Sequence, residues 1–322
     1  MKNRNLTVDC AKGFTIILML LDHIEAVGYT ITSFHMPLFF ILSGYFFKEE
    51  AIWVVIKKKA KGLLVPYVEI SFVTCLFEVL HKKYYLGIDN EEIIIGVKDR
   101  VLHFLMGNDF SLAWFLLALF GGSVIYAVIW RISSNKKLIY ILLVLSVSVA
   151  GYLLGNEFEQ KVYQYDLMLF CVLFIATGHM FKKYSEQINK IPSYVILLVS
   201  LVVWILGIEM HGLTMALRIY NMYPLCVFAA IAGTYCVVKL SSYMKCIPYY
   251  GKYLIWLGAN TLPFMCLGNI TKNVLDWNSI TNINNRYISL IIQLLVFSII
   301  VLCQKAIKKL FMYIKDKGKS KK

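Results

Sequence analysis

PSYVILLVSLVVWILGI, residues 192–208, carries no charged side chain, and neither does ISLIIQLLVFSIIVLC, residues 288–303. A helix of about 17 residues rises about 25 Å, close to the ~30 Å hydrocarbon core of a bilayer. Outward from these two stretches the same pattern repeats. Apolar blocks lie near residues 10–30, 34–54, 63–80, 110–130, 138–154, 164–181, 193–210, 215–238, 254–271 and 287–311. Backbone groups in lipid must be satisfied within the segment, so open spans of this kind are helices. The sequence predicts an all-α integral membrane protein of about ten transmembrane helices, a single polytopic membrane domain filling residues 1–322.

Composition points the same way. Of 322 residues 59% are apolar and 16% charged, against about 45–50% and about 25% in soluble domains. The net charge of +14 would suggest nucleic acid in a soluble protein. Here the basic residues cluster between apolar blocks, so nucleic acid is excluded and the lipid bilayer is the partner. With the N-terminus inside, 23 Lys and Arg fall on cytoplasmic segments and seven outside, which places both termini in the cytoplasm. The run from Phe14 meets Asp22 and His23 with no cleavage site behind it, so it reads as a retained first helix. The longest loop, 81–109, lies outside on this reading. Its Ile93–Phe104 stretch has the spacing of a helix lying on the membrane face. The eight cysteines are scattered singly, without the spacing of a metal site or a disulfide framework.

Ionisable groups inside a span cost about 2.5–3.5 kcal/mol each at its centre. The first block holds three, Asp9, Lys12 and His23. The step from Lys12 to His23 is three turns plus about 20°, and Asp9 lies about 60° from Lys12, so the three share a face with about 16 Å between Lys12 and His23. Two readings stand. Either Lys12 snorkels to the inner headgroups and pairs with Asp9, or a cation at the inner mouth and a deeper imidazole line a cavity.

The second block opens SFHMPLFF (33–40) and continues LSGYFF (42–47). Pro37 suits a first turn, Ser43 and Gly44 permit close approach, and His35 faces His23 across a short turn. Arg218, isolated in the eighth block, either lines a cavity or snorkels at the interface.

These segments resemble membrane acyltransferase family 3, and within it the branch of fucose 4-O-acetylase-like and surface polysaccharide O-acyltransferases. The likeness rests on VDCAKGF (8–14), on His23 eleven residues after Lys12, and on FHMPLFF with LSGY. It continues in KGLLVPY (61–67) and AWFL (113–116). Many members carry Arg where Lys12 stands, and Lys keeps the charge but not bidentate phosphate contact. Asp22 replaces a small residue before the motif histidine. LGANTL (257–262) resembles a segment often ending in a histidine, whose place Gly268 takes here.

The resemblance implies transfer of an acyl group, usually acetyl, from cytoplasmic acetyl-coenzyme A or another acyl-coenzyme A to a hydroxyl of a cell-surface polysaccharide or glycolipid. The co-substrate is not a resident cofactor, no metal is implied, and the protein would sit in a bacterial cytoplasmic membrane beside polysaccharide biosynthesis or export partners. Lys12, oriented by Asp9 and helped by Lys57 and Lys58 of the 57–61 cluster, would hold the coenzyme's phosphates. His23 would be the base, assisted by His35 and Asp22, since an imidazole titrates near neutrality. Ser43, Tyr45, Trp114 and Arg218 would line the cavity. A transporter or flippase for polysaccharide or small solutes is the competing class, and a non-catalytic ligand-binding membrane domain a third. Buried charge marks a transporter too, although the chain shows no inverted repeat.

Overall fold

A computed structural model describes residues 4–23, 29–107, 114–133, 136–155, 161–273 and 285–319. The chain is almost entirely helical. In order come α1 (Leu6–His23), α2 (Tyr29–Thr32), α3 (His35–Tyr45), α4 (Ile52–Lys59), α5 (Val65–Tyr84), α6 (Asn90–Leu105), α7 (Trp114–Ser133) and α8 (Lys137–Leu154). They are followed by α9 (Tyr165–Phe170), α10 (Val172–Lys183), α11 (Ser185–Ile188), α12 (Ser193–Glu209), α13 (Leu225–Met244), α14 (Tyr250–Gly258), α15 (Thr261–Asn273) and a C-terminal helix, Arg286–Lys319. The only sheet among the described residues is a hairpin of β1 (Leu213–Thr214) and β2 (Ile219–Tyr220). Among the described residues six helical runs are long and apolar enough to cross a membrane, and each of the ten apolar blocks coincides with at least one helix.

α1 and α3 occupy the centre. α1 packs on α14, α13 and α15, while α3 packs on α10, α13 and α7. α8, α12 and the C-terminal helix lie outside them with half or more of their described side chains exposed, the surface a bilayer would cover. Lipid supplies no hydrophobic drive for one helix to leave it for another, so close packing holds such a bundle. A Cβ on Gly13 would collide with the Leu254 carbonyl, and one on Gly258 with the Asp9 carbonyl. Glycine at these two positions sets α1 backbone to backbone against α14. Gly44 and Gly178 do the same between α3 and α10.

Two irregularities follow from proline. The run 52–84 is continuous, but residues Ala60–Leu64 form a π-helical turn directly before Pro66, which has no N–H to give a carbonyl one turn back. α14 and α15 are separated at Ala259–Asn260 because Pro263 cannot continue the ladder. Buried Asn260 turns its Nδ2 back to Trp256 O at 2.6 Å and satisfies part of the exposed helix end.

The eighth block departs from its expected form. Residues 213–220 are a hairpin, α13 begins only at Leu225, and Arg218 sits in that hairpin with φ +57° rather than within a helical span. α6 spans the expected surface helix and is tied to α5 by Arg100 Nη1 to Glu78 at 2.9 Å.

Candidate active site

The first turn of α1 fixes the candidate cation. Asn5 caps the helix, its Oδ1 accepting from Val8 N at 3.2 Å, a favourable N-terminal residue. Asp9, buried in that turn, accepts from Arg4 at 2.8 Å and from Lys12 at 3.4 Å. Two cations on one carboxylate leave a surplus of positive charge there. The Lys12 side chain stays 28% exposed and reaches a cavity of about 270 Å³.

The walls of that cavity come from five separated stretches. α1 gives Lys12, α3 gives Phe39, Leu42 and Ser43, the π-turn gives Gly62 and Leu63, α7 gives Phe115 and Leu116, and α15 gives Thr261 and Leu262. Each stretch is one of the sequence segments singled out above. Both proline-dependent irregularities open onto this space. On the Ser43 side a second cation arrives, Lys59 Nζ donating to Ser43 Oγ at 2.6 Å.

Phe39 lies one helical turn, about 6 Å, from His35 on α3. Buried His35 donates from Nδ1 to Ile31 O at 2.9 Å, since a carbonyl can only accept. The bond orients the ring, and the charge of Asp22 acts on it from the end of α1. An imidazole oriented by one hydrogen bond and acted on by a nearby acid's charge can serve as a general base. His23 ends α1, and its side chain lies outside the described residues.

A family model described as an acyltransferase domain matches residues 5–264, some four-fifths of the chain. The chain belongs to membrane acyltransferase family 3. It is therefore a multi-pass membrane acyltransferase. No curated protein and no solved structure matches it.

The acyltransferase chain brings some sequence-singled residues together and leaves others apart. Lys12 and Ser43 line the cavity with Asp9 bonded to Lys12 behind the wall, and the charge of Asp22 acts on His35. Lys57 and Lys58 are exposed and absent from the cavity wall, with Lys58 engaged by Glu50 at 2.6 Å. Within that cluster it is Lys59 whose helical phase points inward. Tyr45 packs edge-on against Phe46, and buried Trp114 packs against Phe115. Neither lines the cavity, because their neighbours on α3 and α7 take that face.

Arg218 is elsewhere too. It lines a second cavity and forms a buried pair with Asp166, Nε to Oδ2 at 2.9 Å. A signal for that pair was available: Asp166 is an acid in one apolar block and Arg218 a base in another, each costly alone. A further buried network was not read from the sequence. His179 Nδ1 lies 2.6 Å from Tyr126 Oη, which lies 3.1 Å from Tyr140 Oη. Apolar neighbours at helical spacing hide it.

Proposed function

We propose that this acyltransferase moves an acyl group, acetyl by the branch it resembles, from cytoplasmic acyl-coenzyme A to a hydroxyl of an extracytoplasmic polysaccharide or glycolipid of a bacterium. The observation that carries the reading is the single cavity on which five separated segments converge, with Lys12 on its wall and Phe39 one turn from His35. Coenzyme A is polyanionic, and Lys12 with Lys59 supplies the cations that would hold its phosphates. A sugar hydroxyl is a weak nucleophile at neutral pH, so the imidazole at the outer end, His23 by the family pattern or His35 with Asp22 beside it, takes its proton. The sugar oxygen bonds to the thioester carbonyl carbon, the C–S bond breaks, and the departing thiolate receives the proton. An acyl-imidazole relay would use the same residues in two steps.

The test compares surface glycans of a deletion strain with its parent by mass spectrometry, alongside purified protein in lipid nanodiscs. Ester-linked acyl groups should disappear from the glycan, and acetyl-coenzyme A should be consumed only when glycan is present. An unchanged ester content in the deletion strain defeats the reading.

A further inference from the structure

The second cavity, about 280 Å³, lies between the end of α8 and the β1–β2 hairpin, lined by Tyr152, Leu153, Gly155, Arg218, Tyr220 and Asn221. Its rings are ordered. Tyr152 stacks on Tyr223 at 4.2 Å and 8°, and meets Tyr220 at 5.9 Å. The hairpin is also tied to the candidate active site. Thr214 Oγ1 donates to Thr32 Oγ1 at 3.3 Å, three residues before His35, and Trp204 Nε1 donates to neighbouring Ser33 at 3.2 Å.

Electrostatics narrows what this pocket holds. Arg218 alone would draw phosphates or carboxylates. Its guanidinium, however, is fully buried against the equally buried Asp166 carboxylate, so the pair contributes no net charge. Among the described residues, further bonds to Gln164 Oε1 and Ala216 O bring the N–H groups in use to four of five. What remains includes hydrogen bonding without charge: one Arg218 N–H, the buried Tyr220 hydroxyl, which has no partner among the described residues, and the Asn221 Oδ1 acceptor, whose amide is fixed by Nδ2 donating to His211 O at 3.0 Å. Aromatic faces beside uncharged donors and acceptors suit a ligand with an apolar face of C–H groups and an edge of hydroxyls. That is a pyranose ring. The volume is at the lower limit of small-molecule sites, about 300 Å³, which suits one sugar unit of a chain and is too small for a coenzyme.

We infer that this pocket is a subsite for a neutral sugar unit of the glycan acceptor, held on the Tyr152–Tyr220 rings beside a hairpin bonded to Thr32 ahead of His35. The inference rests on the acyltransferase reading for the word acceptor, but the binding it asserts is measurable without any acyl donor.

The experiment is saturation-transfer NMR on the full chain in lipid nanodiscs, with cellotetraose and chitotetraose as neutral probes and tetragalacturonate as the anionic one. At least one neutral probe should bind, and tetragalacturonate should bind at least tenfold more weakly. Tyr152→Ala and, independently, Asn221→Ala should each weaken the neutral probe about tenfold. Asn221 is exposed and its replacement leaves the ion pair intact, so it reads the pocket even if Tyr152→Ala misfolds. Binding by neither neutral probe, preference for the anionic one, or binding untouched by Asn221→Ala in folded protein overturns the inference. Sugar binding in a protein that leaves glycan esters unchanged would instead defeat the acyltransferase reading and keep the pocket.

Discussion

Asp166 and Arg218 offer a perturbation whose size follows from the structure. Their side chains are 0% and 1% exposed, so water cannot replace a lost partner. Asp166→Leu strands a buried guanidinium, a cost of about 3–5 kcal/mol. Arg218→Met strands a buried carboxylate at a similar cost. Replacing both removes both charges and leaves only Gln164 Oε1 and Ala216 O without their donor, at about 1–3 kcal/mol each if water cannot reach them. The two singles should therefore fail additivity, the double variant melting above at least one of them. At about 2 °C per kcal/mol for a chain of this size, each single loses roughly 6–10 °C. The assay is thermal unfolding by intrinsic fluorescence in nanodiscs. Wild-type melting of Asp166→Leu, or a double variant whose loss equals the sum of the singles, refutes the buried-pair reasoning.

Lys12→Ala should raise the KM for acetyl-coenzyme A at least tenfold, whereas Lys12→Arg, which keeps the charge, should stay within a few fold in steady-state assays. Gly258→Val sets its side chain against the Asp9 carbonyl and must push α1 away from α14. Displacing Lys12 by about 1 Å costs about 100-fold in turnover, read in protein that still purifies as a monodisperse species. His35→Ala should lower kcat by about 10²–10⁴ without changing acetyl-coenzyme A binding measured by calorimetry. Pro66→Ala restores an N–H after the π-turn and should straighten it, lowering acetyl-coenzyme A affinity with little loss of melting temperature.

The sequence was legible where a rule depends on composition and length. Every apolar block corresponds to a helix because lipid leaves the backbone no other open choice. It failed where backbone handedness decides. Nothing in the apolarity of 215–238 betrays that Arg218 and Met222 take positive φ and that the start of the block joins a hairpin. The 57–61 cluster reads as a donor-binding group led by Lys57 and Lys58, and only the phase of α4 against α3 selects Lys59 for Ser43. Asp9 with Lys12 was readable from a three-residue spacing. Asp22 and His35 belong to different helices, so no helical spacing pairs them.

The cavity itself could have been found from the prolines. Irregular backbone at membrane depth survives only where protein buries it or a cavity receives it. The π-turn before Pro66 and the break before Pro263 lie 197 residues apart by their prolines, yet Gly62 and Leu63 from one and Thr261 and Leu262 from the other line the same space as Lys12. Two independent defects with one outlet imply that the space constrains the sequence, since a chain free to close it could run an ordinary helix former through both positions.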